Sequence, residues 1–435
     1  MKQKKINIIT MGCSKNLVDS EYLMKQLDAN NFIVEHESNK NEFDYIIINT
    51  CGFINDAKEE SIETILNYVK TKGEGLIKKV FVIGCLSERY KQELEKEIPE
   101  VDKYYGTNDL NKILSDLDTN FRKELINERI LTTPKHYAYL KISEGCNRTC
   151  SFCAIPLMRG KYKSKPIDDL ILETRKLVDK GVKEILLIAQ DLSFYGYDIY
   201  KKYELAKLLE KLSDIKGIEW IRLHYLFPSD FPLDILPVIR ERENICKYID
   251  ISFQHISDNM LKLMKRNFSK KQTLELISTI REQVSGIHIR TTLLTGHPGE
   301  TKNDFNELIE FVKKSKFERL GVFKYSHEED TYSYKNYEDE ISDNIKQKRA
   351  DKIMEIQKEI SAEHNNSKIN SIVKVIIDRV EGDYYIARTE FDSPEIDNEV
   401  LIKKQNIDLK IGEYYNVKII SADEFDLYAD LSVKL

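Results

Sequence analysis

Three cysteines, Cys146, Cys150 and Cys153, lie close together in the chain, with three and then two residues between them. Thiolates are soft ligands, so zinc and iron–sulfur clusters are the natural occupants of such a loop. Structural zinc takes four protein ligands, whereas this loop offers three, with no Cys or His following at a zinc-like spacing. A cube of four irons and four sulfurs held by three thiolates keeps one iron free of protein, open to a chelating ligand. Three more cysteines, Cys13, Cys51 and Cys85, are far apart, yet each directly follows a short apolar run. In an open parallel sheet the C-terminal strand ends share one edge, where ligands bind. The fold, rather than local spacing, would then gather these three thiols. A small buried side chain is the alternative role for any one of them, because free Cys packs well in cores. Cys246 has no cysteine near it and reads as an inert core thiol.

The elements that must position these residues are legible as alternations. Runs at 6–10, 44–51 and 79–85 are separated by amphipathic stretches at 16–27 and 56–69. Continuous apolar strands divided by helices predict a parallel sheet covered on both faces. Past a linker at 132–134, a strand at 137–142 runs into the cysteine loop. Five further strands follow, near 184–189, 220–226, 248–253, 286–294 and 319–325, with helical patterns at 167–180, 203–212, 274–283 and 303–314. Six strand–helix units predict a (β/α)6 partial barrel with its chemistry at the C-terminal strand ends. A charged helix over 341–365 then leads to short strands at 372–380, 384–389, 399–402, 415–420 and 424–431. These predict a small five-stranded antiparallel barrel of the OB type. The expected fold class is therefore α/β with three domains, at 1–125, 132–364 and 366–435.

Composition narrows the partners. The 435 residues carry a net charge of −6, which gives no overall basic character to recruit nucleic acid. From Asn370 to Leu435 there are 14 acidic and 8 basic residues, a surface that repels polyphosphate and suits a basic protein. No apolar run approaches the roughly 20 residues of a membrane helix. The N-terminus lacks a secretory segment, and seven cysteines in a long chain favour metal ligation over disulfides, so a cytoplasmic protein is expected. Polar groups stand at other strand ends, including Gln190, Asp191, His224, Gln254, His255 and Glu300. Each can serve a cofactor or simply cap a turn. Arg159, just after the cysteine loop, has the same two readings.

The C-x3-C-x2-C spacing, with Phe152 before the last cysteine, resembles the signature of the radical S-adenosylmethionine enzymes. Met11-Gly-Cys13-Ser-Lys-Asn16-Leu-Val-Asp-Ser-Glu21, Asn49-Thr-Cys51-Gly-Phe53 and Gly84-Cys85 resemble the N-terminal domain of the methylthiotransferases, in the wording of their ribosomal-protein branch. Ala189-Gln190-Asp191-Leu-Ser-Phe-Tyr-Gly196, Gln254-His-Ile-Ser257 and Arg290-Thr-Thr are similar to that family's core, and the tail resembles a TRAM domain. Gly296-His297-Pro-Gly departs slightly, since Phe or Tyr is expected before that proline. The resemblance implies two 4Fe-4S clusters, on Cys13, Cys51 and Cys85 and on Cys146, Cys150 and Cys153. It implies S-adenosyl-L-methionine in two roles, as methyl donor and as source of a 5′-deoxyadenosyl radical, and no catalytic side chain beyond the cluster ligands. Phe152, Gln190, Asp191 and Arg290 are the candidate cofactor-binding residues. The implied reaction is β-methylthiolation of an aspartate in small-subunit ribosomal protein S-twelve, with a low-potential electron donor and no stable nucleic-acid binding. A transfer-RNA adenosine methylthiotransferase would share both clusters, and an iron–sulfur electron carrier would use them without catalysis.

Overall fold

The computed structural model describes residues 3–40, 42–404 and 408–431. Five parallel strands, β1 (Lys5–Thr10), β2 (Ile33–His36), β3 (Tyr45–Thr50), β4 (Lys79–Gly84) and β5 (Lys103–Tyr104), form the first sheet in the order β2-β1-β3-β4-β5. β3 is central and buried along its whole length. Its side chains alternate between two cores. Ile47 meets Ile8, Phe81, Leu23 and Leu27 on one face, while Ile46 and Ile48 meet Val80, Val82, Ile65 and Leu94 on the other. This period of two explains why the strands read as unbroken apolar runs. The helix Ser14–Ala29 follows β1 and the helix Asn55–Gly73 follows β3.

The second sheet contains β6 (Tyr137–Lys141), β9 (Glu184–Ile188), β10 (Trp220–Leu226), β11 (Ile245–Ile251), β12 (His288–Thr295) and β13 (Arg319–Lys324). All pairings are parallel, in the order β13-β12-β11-β10-β9-β6, which is the (β/α)6 partial barrel. Its leucine- and isoleucine-rich core is shared with the outer helices, among them Leu205–Ser213 and Lys302–Ser315. A two-residue pairing of β7 (Ser143–Glu144) with β8 (Lys163–Ser164) closes the base of the cysteine loop.

The last unit is a closed barrel of β14 (Ile372–Glu381), β15 (Tyr384–Thr389), β16 (Val400–Lys403), β17 (Tyr414–Ala422) and β18 (Leu427–Asp430), in the order β14-β15-β16-β18-β17. It is not wholly antiparallel as expected, because closure brings β16 beside β18 in parallel. The end of β15 and the segment after it pack against the lower half of the partial barrel. There, Arg388 Nη2 and Arg222 Nε both donate to Glu184, at 2.7 and 2.9 Å. Arg319 Nε donates to Asp392 at 3.0 Å, and the Tyr248 hydroxyl to Asp397 at 2.8 Å. Several of the tail's carboxylates are thus consumed inside the molecule. Removing one partner of such a buried pair leaves a stranded charge, at a cost of about 3–5 kcal/mol. No helix is long and apolar enough to cross a membrane, among the described residues.

Candidate functional site

The loop of Cys146, Cys150 and Cys153 is held from several sides. The Cys146 N–H donates to Gly160 O at 3.1 Å, and the Ser151 N–H to Met264 O at 3.0 Å. Arg148 Nε donates to Asp191 at 2.8 Å, which fixes the loop to the end of β9. The Arg148 N–H points at the Cys146 sulfur, 3.4 Å away, and Arg266 Nη1 at the Cys150 sulfur, also 3.4 Å. The guanidinium groups of Arg148 and Arg266 lie 4.2 and 4.0 Å from the centre of the Phe227 ring. Two cations are thereby concentrated beside the thiols. Burial pushes the Cys146 thiol up to about 12 and Cys153 higher still. A metal must therefore displace protons here, and the adjacent donors favour sulfur in its anionic form.

Cys13, Cys51 and Cys85 follow β1, β3 and β4, three adjacent strands, as the apolar runs implied. The chain turns sharply at two of them. Gly12 (φ 88°) and Gly84 (φ 97°) adopt the left-handed region, and a Cβ on Gly12 would sit 2.7 Å from Cys51 Cβ. The Asn16 amide donates to Met11 O and Thr50 O, at 2.8 and 3.1 Å, tying the first turn to the second. Ser61 Oγ accepts from the Cys51 N–H at 3.1 Å and donates to Cys51 O at 3.0 Å. Burial, with the neighbouring Cys13 and Cys51, pushes the Cys85 thiol up to about 12 against the pull of Arg159. The three thiols are thus close enough to perturb one another.

Arg159 joins the two sites. It stands at the end of the helix Ile155–Arg159, right after the cysteine loop, and is buried. Nε donates to the Cys85 sulfur at 3.3 Å, Nη1 to Asp19 at 2.7 Å and to Glu144 at 3.3 Å, and Nη2 to Asn16 Oδ1. Lys141 adds a second cation on Glu144 at 2.6 Å and contacts Asp19. Burial alone would raise the Glu144 carboxyl, but Lys141 and Arg159 hold it down, to about 2. Lys15, two residues after Cys13, reaches the barrel mouth and places its ammonium 3.4 Å from the centre of the Tyr225 ring. Tyr225 (φ 66°) and Gln254 (φ 68°) are non-glycine residues in the left-handed region at strand ends, a costly conformation that functional sites often hold.

The candidate cofactor residues are dispersed. Gln190 Nε2 donates to Glu144 at 3.0 Å, and its carbonyl oxygen is buried without a hydrogen-bond partner. Asp191 is committed to Arg148 and to the Ser193 N–H. Phe152 packs edge-on to His297, whose ring also contacts Ser151 Oγ at 3.0 Å. Arg290 sits early in β12 and pairs with Asp250 and Asp397 at 3.4 and 3.3 Å, and Asp250 in turn accepts from the Tyr225 N–H at 3.3 Å. Glu300 is likewise spent inside, on His255 and on the Gly296 N–H, and Thr301 and Asp304 form a capping box. Sequence reasoning left Arg159 undecided and missed Arg266 and Lys15. For Lys15 and Arg159 the local signal was a charge close to a motif cysteine, whereas Arg266 lies 116 positions from Cys150 and left none. Cys246 packs between Trp220, Tyr248 and Ile376.

The donor chemistry fits polynuclear sulfur centres. Each site offers three thiols with a cation or N–H directed at sulfur, one short of the four protein ligands a structural zinc takes.

Comparisons with known proteins point the same way. Residues 5–106 match the uncharacterized protein family UPF0004, residues 140–312 the radical SAM superfamily and residues 369–431 the TRAM domain. The chain is 57% identical to a ribosomal protein uS12 methylthiotransferase RimO of Bacteroides thetaiotaomicron, over 99% of each chain. It is also 57% identical to one of Phocaeicola vulgatus, over 99% of this chain and 100% of the relative. Among solved structures it resembles the radical S-adenosylmethionine methyltransferase TsrM of Kitasatospora setae, with a TM-score of 0.54, 12% identity, and 74% of this chain and 75% of that one covered. That likeness speaks to the fold.

Proposed function

The chain belongs to the RimO-type methylthiotransferases of the radical SAM superfamily, and on that premise we propose that it attaches a methylthio group to the β-carbon of an aspartate in ribosomal protein uS12. It is an enzyme that works with S-adenosylmethionine and 4Fe-4S clusters. The observation that carries the reading is a pair of thiol triads, one on each of two parallel sheets, bridged by one buried arginine.

Cys146, Cys150 and Cys153 would hold a cluster that, with S-adenosylmethionine, would supply one-electron chemistry able to open an unactivated C–H bond, and Cys13, Cys51 and Cys85 would hold the cluster at which the sulfur to be methylated is bound. The chain's own residues do the positioning. Arg266 and the Arg148 N–H favour anionic sulfur in the loop, while Asp191 acts through Arg148 to hold that loop still. Arg159 does the same for Cys85 and keeps the two sites at a fixed separation. The free carbonyl oxygen of Gln190 is the best-placed acceptor for cofactor in the mouth. Phe152 packs behind the loop, and Arg290 steadies the barrel through Asp250 and Asp397. The domain boundaries we adopt are 1–125, 132–364 and 366–435, with the last unit helping to hold the protein substrate through its remaining outward acids. A low-potential donor provides electrons. We place the enzyme in the cytoplasm, and an absence of stable nucleic-acid binding agrees with the net charge of −6.

The test is mass spectrometry of purified uS12 after incubation with anaerobically reconstituted enzyme, dithionite and S-adenosylmethionine. A gain equal to one methylthio group on a single aspartate is expected. An unmodified uS12 beside a methylthiolated transfer RNA would overturn the assignment.

A further inference from the structure

A groove of about 570 Å³ runs along the first domain between the helices Asn55–Gly73 and Lys91–Glu97. Its floor is apolar, from Ile62, Leu66, Leu86 and Leu94, and Leu66 is 48% exposed. Leu86, the residue after Cys85, packs into this floor rather than toward the thiol, which lies with Ala154 and Met158.

The rim says which partner. Glu59, Glu93, Glu97 and Glu329 line it, and Lys58 is the one cation among the lining residues. Lys58 is already spent on Glu328, 3.0 Å away, alongside Arg89 at 2.8 Å. Glu97 has only the adjacent Lys96, at 3.7 Å, and Glu59, Glu93 and Glu329 have no ion pair among the described residues. Carboxylates left without cations over an apolar floor repel phosphate chains and attract a cationic segment with apolar side chains.

We propose that the groove docks a basic, apolar-anchored segment of the protein substrate, gripping it away from the residue that is modified. This rests on the assignment of a basic ribosomal protein as substrate. The tail barrel is less suited to the task, since Asp378, Asp392 and Asp397 are consumed on arginines, a histidine and a tyrosine of the chain itself.

The experiment uses the full-length, reconstituted enzyme and purified uS12. One variant combines Glu59→Lys, Glu93→Lys and Glu97→Lys, all at exposed positions, and a second carries Leu66→Asp. Direct binding and KM are measured at low and high salt, with iron content and circular dichroism reporting the fold. The triple variant should raise KM and the dissociation constant at least tenfold at low salt and flatten their salt dependence. Leu66→Asp should weaken binding several-fold at both salts. If both variants bind and turn over uS12 within twofold of wild type, the groove is not the docking site. A change in oligomeric state in the Leu66→Asp variant would assign the groove to a second copy and equally overturn the proposal. A wild-type enzyme that neither binds nor modifies uS12 would instead remove the substrate assignment, and the groove proposal with it.

Discussion

The two thiol triads reach similar arrangements by opposite routes. Cys146, Cys150 and Cys153 sit on one loop, clamped at its base by β7 and β8, and need only short-range geometry. Cys13, Cys51 and Cys85 come from three turns, so their spacing is set by the register of β1, β3 and β4. The first site is a property of a peptide on a rigid edge. The second is a property of a whole sheet. Damage that spreads through a fold should therefore separate them, although Arg159 limits the separation by touching both frames.

Cysteine substitutions should break the comparison most completely. Cys146→Ala should abolish 5′-deoxyadenosine formation, whereas Cys51→Ala should spare it and lose methylthiolation. Each should retain about half the iron of an enzyme with roughly eight irons. Equal loss of cleavage in both variants would show that the sites do not divide the labour. A milder probe is Ile47→Ala in the buried centre of β3, which should cost about 2–5 kcal/mol. Thermal unfolding should show the first domain melting earlier, with iron lost from the strand-end site while substrate-free cleavage of S-adenosylmethionine persists.

The arginines sharpen the comparison further. Arg266→Met should lower cluster affinity at the loop about 10–100-fold, by the usual effect of removing a hydrogen-bond partner of a ligand. Arg159→Met should do so at the strand-end site and shift that cluster's reduction potential in an anaerobic titration. If Arg159→Met moved only the loop cluster, the link from Arg159 to Cys85 would be incidental. The smallest effect belongs to Asp191→Asn, which keeps a hydrogen bond to Arg148 but removes its charge. About 1 kcal/mol of loop ordering should be lost, visible as faster amide exchange around residues 146–153.

Much of this was legible in the sequence, for reasons that differ by residue. The loop triad is encoded in spacing, and the strand-end triad in apolar runs that stop at a cysteine. The six barrel strands were readable from their regular alternation with helices, although β10, β11 and β12 carry Arg222, His224, Asp250 and Arg290 among their apolar residues. Arg159 was not readable, because Cys85 and Asp19 lie 74 and 140 positions away in the chain. A charge beside a motif looks the same whether its partners are water or a thiolate. The acidic tail misled in part for the same reason. A net charge counts Asp378, Asp392 and Asp397 as surface, yet each is turned inward. The parallel pairing of β16 with β18 is set by closure of the barrel, and closure leaves no local trace.

Glu184 has one further consequence. Its carboxylate is divided between Arg222 of its own barrel and Arg388 of the tail, all three buried. Exchanging the terminal module for one with no counterpart of Arg388 or Asp392 would leave Glu184 with Arg222 alone and Arg319 without its carboxylate partner. Tail and barrel floor must change together.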